Sequence, residues 1–404
     1  MRRRDFVLLV LILLVGAALH LGQKLRQGHL PLGIQVDGLE FLQGPVRTFS
    51  ETSESPLREG GRVAVESARG DVEVLTWDEP KVRVEVRKQI RAESEKEAAS
   101  LAHALHLRLD PDGAGLKADV VPESGFESPG GLQTHFTLTV PRKARLEVTT
   151  RHGNVEVHDL EGDAVLRTSH GDVDAGRIRG ACEVTNRHGA ISVTDVTGAL
   201  KIFNEHDDVT VRGADAAVEI ESSDGTVSVE DARGNVSVRN SHGEIRVKGT
   251  GGSVQVQARN SSTTVQKVAG SVTATIESEP LEISDVRGGV TVQADVTSVR
   301  LENVKGAIQV NGRHTDVEVI HPESDVEIQT THQAIELSAP AGHGFRVDAT
   351  SEQGEVESDI PELHLPEGAV SHFAGSVGDG RARYKLSTSH STIRIQKSAG
   401  SSQG

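Results

Sequence analysis

The sequence predicts an all-β fold: a two-sided β-solenoid with 18-residue coils, each made of two nine-residue half-repeats, together with one N-terminal transmembrane helix and one short capping helix. Three observations predict it. From Arg151 to about Ala339, apolar residues recur at a step of 18, as in Val155, Val173, Ile191, Val209 and Val227 up to Ile335, with a matching column two residues on from Val157 to Leu337. The residues between them, such as Glu156, Asp174, Ser192 and Thr210, are polar, and strict alternation repeated at a fixed period means stacked strands. Nine residues further on, a second pair of columns runs from Ala164 and Leu166 through Cys182 and Val184 to Val326 and Ile328, so each coil has two strands. Ahead of that pair a glycine recurs, at Gly162, Gly180, Gly198, Gly234, Gly252, Gly270, Gly288, Gly306 and Gly342. Glycine is the residue that tolerates φ > 0, so this column is expected to mark one left-handed turn per coil. Roughly eleven coils at a spacing of about 4.8 Å give a rod on the order of 50 Å long. Only 2% of the 404 residues are aromatic, which suits a Val-filled solenoid interior better than a large globular core.

Residues 1–5 read as a cytoplasmic tail and 6–22 as a transmembrane signal anchor, because three arginines precede an apolar run from Phe6 to Leu19 that extends to Gly22. Arginines stay on the cytoplasmic side, so a single pass through the cell membrane would leave the solenoid periplasmic or extracellular. The alternative is cleavage after Ala18. Residues 23–60 read as a stalk or linker that ends in SETSESPLREGG. Within 61–143, Val63 with Val65 and Val72 with Val74 already keep the nine-residue step, and Val82, Val84 and Val86 form a third strand. Ser94 and Glu97 have the spacing of a capping box, ahead of a helix with Ala98, Leu101, Ala102 and Leu105 on one face. This insertion is expected to cover the open strand edge of the solenoid. The solenoid itself spans 144–342. Over 343–397 the register slips near His343 and returns in RYKLSTSHSTIRIQK, giving C-terminal coils and a cap, and 398–404 reads as a disordered tail.

The formal charge of −16 argues against a nucleic-acid partner, because duplex binding relies on a basic surface. Cys182 is the sole cysteine and falls in an inward column, where it acts as a small buried hydrophobe. The column with chemical promise is the second turn, which places His152, His170, His188, His206, Asp224 and His242 on one edge, followed by Asn260, Ser278, Val296, His314 and His332. Imidazoles and a carboxylate about 4.8 Å apart are candidate ligands for Zn²⁺ or Cu²⁺. The same residue types also serve a turn that needs a polar residue before Gly153, Gly171, Gly189, Gly225 and Gly243, so no metal is assigned. Imidazolium ions in register repel, and the edge is expected to loosen as pH falls through about 6.5. Arg69-Gly70-Asp71 spells an integrin-type tripeptide but occupies the same turn slot as Arg151-His152-Gly153-Asn154. Asp159, Asp195, Asp231 and Asp285 alternate with Arg177, Gly213, Gly249 and Lys267, which breaks the offset that a calcium-binding nonapeptide needs. No paired-acid groove, phosphate-cradling loop or nucleophile elbow is visible.

FTLTVPRKARLEVTTRHGNVEV at 136–157, the turns SHGDV, RHGAISV and SDGTVSV, and the closing LSTSHSTIRIQ together resemble the bacterial putative adhesin domain family over about 60–397. The resemblance implies an extracytoplasmic β-solenoid behind a single membrane span, and it carries over no catalytic residues. The expected function is therefore a non-enzymatic, membrane-anchored adhesin or interaction surface of the bacterial cell envelope. A sensory or scaffold module of an envelope-stress response is the alternative. The expected partners are the membrane, through 6–22, and an envelope protein or polysaccharide, with no cofactor, nucleic acid or small-molecule substrate.

Overall fold

Two parallel ladders carry most of the chain, as a computed structural model describing residues 44–113, 115–123, 132–366, 368 and 370–398 shows. Two compact units form, the larger from Thr52–Glu85, Arg108–Asp119 and His135–Gly404 and the smaller from Met1–Glu51, Val86–Leu107 and Val120–Thr134. In the larger unit, one ladder pairs Val155 with Val173, Val173 with Ile191 and Ile191 with Val209, always 18 residues on. The other pairs Leu146 with Ala164, Ala164 with Cys182 and Cys182 with Leu200. This is an all-β solenoid of about eleven regular coils. Alternation sends every second side chain inward, so Val157, Val193, Val211 and Val238 are fully buried while Glu156, Ser192 and Thr210 are not. Each such side chain contributes roughly 1.5–3 kcal/mol, and stacked identical β-branched residues fill a thin core without large rings.

Both ends of the solenoid depart from chain order. Val72 pairs with Val155 on one side and Phe136 on the other, and Val63 pairs with Leu146 and Leu116. The coil of Arg62–Ser67 and Val72–Trp77 is thus inserted between strands that come later in the sequence. At the other end, Val326 pairs with Tyr384 and Ile335 with Ile393, and the far sides of those strands pair Tyr384 with Val347 and Ile393 with Val356. The slip near His343 follows directly: the coil of Ala382–Thr388 and Ile393–Lys397 occupies the next slot, at a sequence separation of 58. Tyr384 is fully buried there, stacked on Phe345 with ring centroids 4.7 Å apart, and burial pushes its hydroxyl up to about 12. His372–Val377 then adds an antiparallel strand on Phe345–Ser351.

The smaller unit has its own core, of Ile90, Ala92, Ala98, Ala102 and Leu105 with Phe49, Leu101, Val120 and Leu132 around it. Its helix α1, Glu95–His103, starts at the N-cap Ser94, whose Oγ accepts from Glu97 N at 3.2 Å; Glu97 Oε2 reaches back one residue beyond the cap and accepts from Glu93 N at 3.2 Å, a variant of the capping box. Lys88 is buried, donating to Glu51 at 2.6 Å and to the carbonyls of Ala102 and Leu105, so its charge is paired and its protons are used.

Several expectations need correction. Part of the segment read as a stalk is the strand Val46–Pro56, which pairs with Lys81–Arg91; Glu54 binds Lys81 at 2.9 Å and Arg83 at 2.5 Å. A polar edge strand has no apolar stripe to announce it. The glycines from Gly162 to Gly306 do sit at one turn per coil, yet none has a left-handed φ, and in their column only Gly342 does. Their requirement is proximity: a Cβ on Gly180 would lie 2.4 Å from Gly162 O, and one on Gly288 2.5 Å from Gly270 O. Among the described residues no helix is long and apolar enough to cross a membrane, and the segment 6–22 lies outside them.

Candidate functional site

The His edge is built by the ladder. Parallel strands repeat at about 4.8 Å, so side chains at equivalent turn positions must stack at that distance. Ring centroids of His152 and His170 are 4.6 Å apart, those of His170 and His188 4.7 Å, and those of His188 and His206 4.8 Å, with interplanar angles of 29°, 28° and 13°. The next coil places Asp224 in the column, where one oxygen meets His206 Nδ1 at 2.9 Å and the other meets His242 Nδ1 at 3.2 Å. The structure thus brings all six sequence candidates onto one line.

Two further sets of residues hold this edge in place. Behind it, inward at the corner, Asn186 donates to the carbonyls of Gly171 and Gly189, both at 2.9 Å. Asn204 donates to His206 O and Asp207 O, and Asn240 to Gly225 O and His242 O. These buried amides supply donors to carbonyls at the corner of each coil. In front, a carboxylate or amide of one coil accepts from the backbone of the next: Asp71 from Asn154 N at 2.9 Å, Asn154 from Asp172 N at 2.9 Å and Asp172 from Ala190 N at 2.8 Å. Asp71 also meets His135 Nδ1 at 3.1 Å, so the aspartate of Arg69-Gly70-Asp71 is a latch between coils.

Turn geometry changes part-way along. From His152 to His242 the left-handed residue follows the column position, as at Gly153, Gly171, Gly189, Asp207, Gly225 and Gly243. From Asn260 onward the column residue itself is left-handed, with φ of 45° at Asn260, 75° at Ser278, 52° at Val296 and 52° at His314. The stack nevertheless resumes. His314 lies 4.8 Å from His332, and His332 lies 4.4 Å from His390 with the rings 2° from parallel. His390 was not among the sequence candidates because the inserted coil breaks the step of 18. Its signal was present: Thr388-Ser389-His390 repeats Thr168-Ser169-His170.

As placed, the stacked rings do not converge on one point. Two nitrogens bound to one Zn²⁺ are at most roughly 4.2 Å apart, with both lone pairs aimed at the ion. Near-parallel rings 4.6–4.8 Å apart instead aim their lone pairs side by side. Among the described residues no three His, Cys, Asp or Glu side chains are placed to hold a metal ion. His152 titrates below the usual histidine range, first because burial disfavours its charged form and then because His170, Arg69 and Arg151 are near. Burial also pushes the Cys182 thiol up to about 12, which leaves it a poor nucleophile.

The left-handed corner of the other turn explains the mixed column that spoiled a calcium reading. Asp159, Arg177, Asp195, Gly213, Asp231, Gly249, Lys267, Asp285, Asn303 and His321 all have positive φ. They share a backbone conformation and no chemistry, and one pair among them, Arg177 with Asp159 at 2.6 Å, holds that carboxyl below its usual range.

A family model described as Toastrack DUF4097 matches residues 123–276 and 236–396. The chain belongs to the Toastrack DUF4097 family. The sequence resemblance to the adhesin domain group is borne out, and the toastrack match covers the regular coils and the inserted C-terminal one. Among solved structures, a putative cell adhesion protein from Clostridium sporogenes is 8% identical, with 87% of this chain and 100% of that one covered at a TM-score of 0.17. A putative adhesin from Bacteroides fragilis is 12% identical, with 68% of this chain and 97% of that one covered at a TM-score of 0.23. No curated protein matches the chain.

Proposed function

We propose that this toastrack is a non-enzymatic, membrane-anchored, extracytoplasmic solenoid that serves as an adhesin or interaction surface of the bacterial cell envelope. The observation that carries the reading is the family match over 123–396 laid on a solenoid whose outward faces are long, polar and regular. The arginines at 2–4 and the apolar run of 6–22 support the anchor and its orientation. The stacked imidazoles are side by side, and the sole thiol is buried, so neither forms a nucleophile and base pair of the kind acyl transfer requires. In the test, the full chain and a chain lacking 144–397 are expressed in a bacterium and their binding to isolated envelope fragments is compared. Retention by the full chain alone is expected. Equal retention of both chains, or an alkaline phosphatase fusion after residue 60 that stays inactive, would sink the reading. Capture of one membrane-bound regulator in place of envelope material would favour the sensory alternative.

A further inference from the structure

The second half of the solenoid carries an outward column that differs from the rest of the surface. Thr275, Gln293, Asn311, Gln329 and Ser387 are register partners in five successive coils. Among the described residues no hydrogen bond or ion pair within the chain engages these five side chains. Earlier in the same column the charged side chains are already occupied, since Arg167 binds Glu147 and Glu183 and Arg239 joins Glu221 to Gln257, and Phe203 interrupts the polar run. The free stripe also lines a groove of about 650 Å³. The groove is concave because Ala294 and Gly312 stand at the corner where Asn204 and Asn240 stand in earlier coils. Of the charges on its walls, Asp295 and Arg313 are closed on each other at 2.9 Å and Glu277 is held by Arg259 at 2.9 Å, which leaves the exposed carboxylate of Glu352 as a further negative group.

We infer that this groove is the docking site of a neutral polysaccharide strand. The inference rests on the reading of the chain as an interaction surface and names the ligand class and the face. Amide and hydroxyl side chains each both donate and accept, which is what successive sugar hydroxyls require. The stripe is uncharged on a chain of net charge −16, so an anionic polymer meets no complementary charge and a repelling field. The groove has no aromatic lining residue, and its one large aliphatic, Ile276, is buried in the core, so it offers no exposed anchor of the kind on which protein interfaces are centred. The coils repeat along the groove at about 4.8 Å, so successive sugars meet a similar set of partners. Recognition by hydrogen bonds alone, without ring stacking, makes one groove a weak binder, and strength on a surface comes from many anchored copies.

The test uses the full chain in detergent on an array of neutral oligosaccharides of glucose, galactose, mannose and N-acetylhexosamines, with uronate and phosphate-bearing glycans beside them. Binding of a neutral glycan is expected, at least ten-fold weaker in Gln293→Ala/Asn311→Ala, weaker also in Gln329→Ala, and unchanged in Thr210→Ala/Ser228→Ala on the other ladder. All of these positions are outside the core, and matching thermal melts would show that the fold is kept. Any of three results overturns the proposal: no neutral glycan bound, acidic glycans preferred, or full binding by the double variant. Self-association of the wild type that disappears in the double variant also overturns it, by assigning the groove to a second copy. If the double variant still binds envelope fragments while glycan binding is absent, the groove is wrong and the proposed function stands. If the wild type binds neither, both fail.

Discussion

Asn186 shows how far the His edge depends on a residue that faces away from it. Its amide satisfies two turn carbonyls, so Asn186→Ala leaves both without a partner, and a loss of about 1–3 kcal/mol in urea unfolding is expected. A change near zero would mean that water replaces the amide. Val296 errs in the other direction, since it is a β-branched residue held at a φ of 52° and 60% exposed. Val296→Gly relieves that conformation and should gain about 1 kcal/mol, read in the same unfolding experiment. The His152 shift has a definite sign. Its folded pKa lies below the ordinary value, so the unfolded chain binds the proton more readily and folding releases it. Its contribution is complete above the unfolded pKa of about 6.5 and is lost as pH falls below that value. Melting temperatures between pH 7.5 and pH 5.5 should therefore fall less in His152→Asn than in the wild type. The His column was legible because one letter repeats at one step. The left-handed column was not, because Asp159, Arg177, Gly213 and Lys267 have only a backbone angle in common.

At the level of strands and turns, the alternation of Val and polar residues was enough to place both ladders in register, since a one-residue slip would turn every valine outward. The reason for the glycine column was not readable, because positive φ and close approach call for the same residue. The structure separates them, and the separation is testable. Gly180 has an ordinary φ, but a Cβ there would meet Gly162 O at 2.4 Å, so Gly180→Ala must push two coils apart. A loss of about 1–3 kcal/mol is expected from overpacking of this kind. Gly60, by contrast, has a φ of 69° and open space around it, so its substitution by Ala should cost only the left-handed penalty of about 1–2 kcal/mol and should be rescued by Asn. If Gly180→Asn were tolerated equally well, the close-approach account would be wrong.

Across the larger unit, each coil touches only its neighbours, so stability is a sum of coils and of the interfaces between them. Removing one coil in register should then be mild: deleting 182–199 joins Ala181 to Leu200, which already occupies the position that Cys182 holds in the ladder. Cutting the chain after Gly380 also removes a single coil, yet it should be worse. The coil lost is the inserted one, which pairs with Val326–Gln329 and Ile335–Ala339 on one side and with Phe345–Ser351 and Val356–Ser358 on the other. Without it Phe345 loses Tyr384, and the strands beyond lose the parallel partner that each has among the described residues. The order of insertion lay beyond the sequence because parallel Val-rich strands are interchangeable as neighbours; only the slip near His343 hinted at it. The measurement is thermal melting followed by limited proteolysis. The in-register deletion is expected to melt cooperatively a few degrees lower, whereas the truncated chain is cleaved throughout 340–380 at temperatures where the wild type resists. A truncated chain that stayed protected there would show that the coil of Phe345–Ser351 and Val356–Ser358 can dock directly on the regular coils, and that the inserted coil is an addition to the solenoid end instead of its tie.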